Sequence, residues 1–338
     1  FNLLDKSFEN GNLIIKDSNI FFRNLENEVL FVNKILNMKY YYDSKELKNT
    51  LFTNSEIFNI PFSMDTFFNK DKSKILTQIN LNLIRLRIEN VLTFNNENKT
   101  GRIEFIFNKQ KRTAEYKIEK NNFNFHFFDK LDQPNISYTG KFNLKPFYAS
   151  VEGDLDEINL NYLFGSNAIM TQLLKTEILN NKNIDFNLYI VAENVFNNFN
   201  FRNIRLKSKI HEGLIDTDKT KFEWRDFVNF ELFETLIFVR DGELVLDGKL
   251  KIEVNNYNEL YKYLLTPKNY RKKISRVDLN FSYNFDKKIA ELKDIKIDNK
   301  INQNINKILN NVILKKDKLQ NKIYFKNLLN EAIKSYSG

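Results

Sequence analysis

The sequence predicts a mostly β protein, a long curved antiparallel sheet with a few amphipathic helices. Three observations carry that expectation. Apolar and polar residues alternate with period 2 in segment after segment, as in strands with one greasy and one wet face. Residue pairs that tolerate positive φ, Asn10-Gly11, Asp241-Gly242 and Asp247-Gly248, punctuate those segments. Helical spacing is confined to a few short stretches.

In chain order, "NGNLIIKDSNIFF" (10–22) has a turn glycine, a polar residue, a leucine, two further apolar residues and a second polar turn position. "DGELVLDGKLKI" (241–252) repeats that order, which suggests a recurring hairpin unit. In "ILTQINLNLIRLRIENVLTF" (75–94), Ile79, Leu81 and Leu83 share one parity, and Ile84, Leu86 and Ile88 the other. A one-residue slip sends every side chain to the opposite face, so a bulge is expected near Leu83–Ile84; bulges bend sheets. "RIEFIFNK" places Ile103, Phe105 and Phe107 on one face, and "NNFNFHFFDK" does so with Phe123, Phe125 and Phe127.

The acids Asp154, Asp156 and Glu157 in "EGDLDEINL" are expected to cap and charge a following helix, with Ca²⁺ ligation as the sharper alternative. That helix is "SNAIMTQLLKTEILNN", with Ser166 as N-cap and Ile169/Met170, Leu173/Leu174 and Ile178/Leu179 at helical spacing, an insert spanning about 157–181. "NIDFNLYIVAEN" returns to strand with Ile184, Phe186, Leu188 and Ile190.

"DGELVLDGKLKIEV" (241–254) alternates most strictly. Leu244, Leu246, Gly248, Leu250, Ile252 and Val254 share one parity. At ~3.3 Å per residue it would run roughly 40 Å, provided that Gly248 is a bend or bulge and not a hairpin turn. "NYNELYKYLLTP" predicts a short helix at about 256–266, stopped by Pro267. "RVDLNFSYNFD" is a further strand, with Val277, Leu279, Phe281, Tyr283 and Phe285 inward. From about Asn299 the spacing is helical again (Ile301, Ile305, Ile308, Val312, then Leu328, Leu329, Ala332 and Ile333) and lysine-rich. Such a tail either lies on a membrane or, more commonly, packs on its own sheet.

Composition narrows the function. Of 338 residues 42% are hydrophobic, enough for a substantial core. The net charge of +9 is spread among 43 acidic residues, which fits an evenly mixed surface better than a nucleic-acid footprint. There is no Cys, hence no disulfide, zinc-thiolate or thiol nucleophile. No apolar run reaches the ~18 residues a bilayer span needs. The chain opens at Phe1, which reads as an excised segment with an anchor or signal expected upstream.

Chemistry is hard to build from this inventory. The two histidines, His126 and His211, stand apart with no nucleophile signature near either, and both read as surface residues. No catalytic site, cofactor or metal is expected. One basic-aromatic stretch, "YKYLLTPKNYRKKISR" (261–276), stands out. Lys268, Arg271, Lys272 and Lys273 could contact phosphate headgroups, or simply decorate a solvated connection. About a dozen one-sided strands and few helices leave a deficit of cover, so either the sheet folds on itself or an apolar ligand completes it.

"NGNLIIKDSNIFFRN", "SEIFNIPFSMD", "TGKFNLKPFYASVEGDLDEINLNYLF" and "KFEWRDFVNFELFETLIFVRDGELVLDGKLKIEVNNYNELYKYLL" together resemble the strand-turn texture of the AsmA-like family, the AsmA/TamB/YhdP group of Gram-negative envelope proteins. The likeness extends over most of residues 1–298, with 299–338 as a separate helical segment. It implies the periplasmic portion of an inner-membrane-anchored protein. Its curled (β-taco-like) sheet would form an apolar groove that binds or conducts phospholipids, in support of outer-membrane lipid homeostasis. Expected partners are phospholipids, the membrane and other envelope proteins, without nucleic acid. The groove lining would be Ile103, Phe105, Phe107, Leu244, Leu246, Leu250, Ile252, Val254, Val277, Leu279, Phe281 and Phe285. The same residues would equally make the closed core of a β-rich scaffolding module.

Overall fold

The computed structural model describes residues 12–337, apart from 24–26, 58, 70–72, 96–97, 108–109, 121, 130–134, 145–146, 161–173, 175–184, 212–213, 311–313 and 316–320. The fold is mostly antiparallel β with few helices. The chain divides into two compact units: unit 1 is 1–153 with 176–186, and unit 2 is 154–175 with 187–338.

Unit 1 is a meander. Its strands are β1 (Leu13–Arg23), β2 (Val29–Asp43), β3 (Lys48–Ile57), β4 (Ile60–Asn69), β5 (Lys74–Leu81), β6 (Leu86–Asn95), β7 (Asn98–Phe107), β8 (Gln110–Glu119), β9 (Asn122–Asp129) and β10 (Ile136–Leu144). Each pairs antiparallel with the next in sequence. Tight turns reverse the chain, aided by left-handed residues such as Asn59 (φ 62°), Ser73 (φ 47°) and Lys120 (φ 53°).

One such turn corrects a sequence expectation. Leu83–Ile84 is not a bulge in a continuous strand. A 3₁₀ turn at Asn82–Ile84 and left-handed Arg85 (φ 53°) reverse the chain, so that Leu81 faces Leu86 and Ile79 faces Ile88. The parity switch records a hairpin.

The slip lies instead between β2 and β3. Ile35 faces Ser55 and Met38 faces Thr53, while the Ser55 and Thr53 hydroxyls touch at 2.7 Å on one face of β3. Ile35 and Met38 are three residues apart, so β2 carries one extra residue between them. Their β1 partners, Ser18 and Ile15, share that face too, and Asp17 between them has φ 46°. The second polar turn expected in "NGNLIIKDSNIFF" is therefore a phase shift within one strand.

β11 (Phe147–Ile158) begins in unit 1 and ends in unit 2. Asp154, Asp156 and Glu157 lie within it, so they do not cap a helix as expected; alternation carries the strand through them. The insert expected at about 157–181 falls almost entirely outside the described residues. Leu174, within it, is helical and buried.

β12 (Asp185–Val195) also begins in unit 1 and runs into unit 2, which continues with β13 (Asn198–His211), β14 (Leu214–Asp216), β15 (Lys221–Trp224), β16 (Val228–Arg240), β17 (Glu243–Val254), β18 (Arg276–Asn284), β19 (Ile289–Ile297), β20 (Lys300–Ile301) and β21 (Leu314–Lys315). Strands β16 to β19 form an antiparallel run, flanked by β14 and β15 on β16 and by β20 and β21 on β19. Among the described residues the helices beside them are α1 (Tyr257–Leu264), α2 (Gln303–Asn310) and α3 (Lys322–Ser337). An Asn side chain accepts from backbone N–H groups at the start of each: Asn256 from Glu259, Asn302 from Asn304 and Ile305, Asn321 from Ile323 and Tyr324.

The Asp241-Gly242 turn joins β16 to β17 with φ 53° and 77°, as a two-residue hairpin requires. β17 then runs unbroken through Gly248. The bulge sits on the opposite strand, where Glu234 and Thr235 together face Gly248. This device recurs in unit 2. Asn203-Ile204 bulges against β15, and Asp294-Ile295 against β18. In each bulge the first residue is left-handed (Glu234 φ 48°, Asn203 φ 51°, Asp294 φ 51°) and the second is buried.

Candidate functional site

Strand register in unit 1 assembles one apolar face. Reading across from β4, Met64, Ile79, Ile88 and Phe105 lie in one row, and Leu81, Leu86 and Phe107 in the next. A third row, Thr66, Thr77, Asn90, Ile103, Ala114, Phe127 and Tyr138, passes from hydroxyls to aromatics. The opposite face carries charge, with Lys111 and Arg102 bridging Glu104, Arg87 on Glu89, and Lys34 on Glu56 at 3.2 Å. Alternation with period 2 creates both faces.

The aromatic half is the more specific. Gly101 lies directly opposite Tyr116, and Gly140 directly opposite Phe125. A methyl group on either glycine would collide with the facing ring, so each ring lies down over a bare backbone. Tyr116 stacks on Phe123 with centroids 4.7 Å apart, and Phe142 meets Phe123 and Phe125 at 5.8 and 5.7 Å. Tyr116 donates to Asn90 Oδ1 at 2.7 Å, across the intervening β7. Burial pushes the Tyr116 and Tyr138 phenols above the ordinary tyrosine range, with the Asn90 bond opposing it at Tyr116.

Ile103, Phe105 and Phe107 stand on this face, half-buried. Among the described residues of unit 1 there is no α-helix to lie over them. Sequence reading missed most of their company, notably Met64, Tyr116, Tyr138 and Phe142. Alternation flags such residues singly, but only register shows that they are neighbours.

The other expected groove residues are placed differently. Leu250, Ile252, Val254, Val277 and Phe281 pack against a buried cluster formed by Leu279, Ile295 and Ile297 of the sheet with Tyr261, Ile305, Leu309, Leu328 and Ala332 of the helices. In unit 2 the greasy row is thus the floor of a helix-capped core, not the lining of an open groove, because α1–α3 bring their own apolar stripes to it. Leu244 and Phe285 are also buried, and Leu246 is half-buried. Two asparagines fasten the cap. Asn306 bonds both ways with the Ile295 backbone, at 2.8 and 3.1 Å. Asn330 accepts from Thr266 Oγ1 at 2.5 Å and donates to the Leu264 carbonyl at 2.6 Å.

The basic-aromatic stretch serves this cap in part. Tyr261 is fully buried and donates to the Lys272 carbonyl at 2.5 Å; Arg271 donates to the Thr266 carbonyl at 2.8 Å. The Lys272 ammonium lies 5.8 Å from the Tyr336 ring. Lys268, Lys272 and Lys273 are exposed. A cavity of about 510 Å³ on the polar side of unit 2 includes Arg240, Glu243, Asp247 and Lys287 in its lining. Four of these charges pair, Arg240 with Asp247 and Lys287 with Glu243, both at 2.7 Å.

His126 is exposed on the charged face between Glu115 and Thr139, and His211 is exposed at the end of β13. No group of three or more His, Cys, Asp or Glu among the described residues could hold a metal. Comparison with family models, with curated proteins and with solved structures returned no match.

Proposed function

We propose that this chain is a non-enzymatic, lipid-binding protein of a Gram-negative envelope, which holds or conducts phospholipid acyl chains along the apolar face of unit 1. The observation that carries this reading is a continuous apolar and aromatic face across successive strands, backed by a charged face, in a unit whose described residues include no α-helix. At about 0.8 kcal/mol per buried CH₂, such a face offsets extraction of acyl tails from a bilayer without any chemistry. The resemblance to the AsmA-like family supports the same reading. From it comes the placement as the periplasmic portion of an inner-membrane-anchored protein serving outer-membrane lipid homeostasis. Within the described residues no helix is long and apolar enough to cross a membrane.

Native mass spectrometry of gently purified protein tests the proposal. Co-purified phospholipid is expected, and Ile88→Glu with Phe105→Glu should abolish it while the circular dichroism spectrum stays unchanged. Lipid-free wild-type protein that also fails to take up added phospholipid would sink the idea. A second reading, a scaffolding module with a closed core, is favoured by the helix-capped cluster of unit 2. It requires lipid-free protein and partners bound through the sheet.

A further inference from the structure

The edge of unit 1 carries an interaction surface. Among the described residues β1 is paired on one side only, by β2. It is long (11 residues) and exposes Leu13, Ile14, Ile20, Phe21 and Phe22 by 39 to 56%. Edge strands normally deter pairing with prolines, bulges or inward charges. Here the charges are Lys16, Asp17 and Arg23, and the apolar residues stand at both ends.

We propose that β1 pairs antiparallel with β1 of a second copy of this chain. The pattern that selects this occupant is a palindrome. "LIIKD" (13–17) is three apolar and two polar residues, and "SNIFF" (18–22) is two polar and three apolar. Two copies laid antiparallel about Asp17–Ser18 place Leu13 opposite the partner's Phe22, Ile15 opposite the partner's Ile20, and Ile14 opposite the partner's Phe21.

Backbone geometry independently permits that register. In a regular edge strand, outward-facing residues share one parity, so a strand cannot pair with itself through residues of opposite parity. The phase shift at Asp17 lifts this restriction, because it puts Leu13, Ile15, Ser18, Ile20 and Phe22 in one phase. Each of these apolar pairs then joins residues of the same face. The pairing is isologous, so it consumes the edge and closes at two copies instead of growing into a fibre. It also continues the apolar face of unit 1 across the dyad.

The chain has no cysteine, which makes the register directly readable. Ile15→Cys and Ile20→Cys chains are prepared separately, oxidised alone, and oxidised as an equal mixture. Directly opposed strand residues lie within disulfide reach, whereas like positions of the two chains are separated by several residues. A disulfide-linked dimer is expected in the mixture, at least tenfold more abundant than in either sample alone. Wild-type protein should sediment at twice 40.4 kDa, and Ile20→Lys should sediment as a monomer with an unchanged thermal transition. A wild-type monomer at about 100 µM overturns the proposal, whether the edge prefers another partner or none. Equal cross-linking in single and mixed samples overturns it as well.

Discussion

At the scale of the residue, Gly248 has the most to explain. Its strand is regular, so the glycine is not there for its own backbone. It is there for Thr235, whose Cα would lie 2.7 Å from a Cβ at this position. Thr235 is buried and held by its N–H to Asp218 at 2.7 Å and by Thr217, which donates its N–H to the Thr235 carbonyl at 2.9 Å. It cannot give way. Gly248→Val should cost about 1–3 kcal/mol, read as a lower urea midpoint at unchanged slope. Glu234, the left-handed residue of the same bulge, should tolerate Gly, with stability unchanged or raised by up to about 1 kcal/mol. Tyr261 sets a pH dependence. Burial, then the neighbouring Tyr336, Asp298 and Tyr257, pushes its phenol up to about 12 from 10.0. Below pH 10 the group is neutral in both states and its contribution is fully present. Between about 10 and 12 the unfolded chain releases a proton that the folded chain retains, so stability falls through that window, by roughly 2–3 kcal/mol. Denaturation at stepped pH should show this decline, and Tyr261→Phe should make it shallower.

At the scale of the element, α3 is the piece whose loss matters most. Leu328 and Ala332 put its apolar stripe into the unit 2 core, and Asn330 ties it to α1. Leu328→Asp should unseat it at a cost of about 3 kcal/mol, read as new binding of a hydrophobic dye with most far-UV ellipticity retained. The sequence announces that this tail is amphipathic, since Ile305, Leu328 and Ala332 keep helical spacing. Nothing in that spacing says which face receives it, so the row from Leu250 to Phe281 read equally well as groove or core. Strands were the legible part, because alternation is local. The Asp241-Gly242 hairpin was legible for the same reason. Leu83–Ile84 was not, since counting parity cannot distinguish an inserted residue from a chain that has turned round. The bulge at Glu234-Thr235 left its mark on the facing strand, as a glycine.

At the scale of the whole molecule, two properties compete to attract a ligand: a net charge of +9 and an apolar face. They respond oppositely to salt. If the apolar face of unit 1 is the binding surface, affinity for a zwitterionic phospholipid should change less than about twofold between 50 and 500 mM NaCl. Binding through the scattered lysines would instead fall by orders of magnitude over that range. Fluorescence titration with a labelled phospholipid at both salt concentrations separates the two.

The pairing of every strand from β1 to β9 with its immediate successor has a consequence for how such a chain is made and remade. Each hairpin closes a loop of a few residues, so contacts are local and each strand can add to the last as it emerges, without waiting for distant partners. No connection has to be rethreaded when two adjacent strands are lost or duplicated. The width of the sheet is therefore adjustable by whole hairpins, in steps of about 9–10 Å, and a gene encoding it can change its reach by copying a single module.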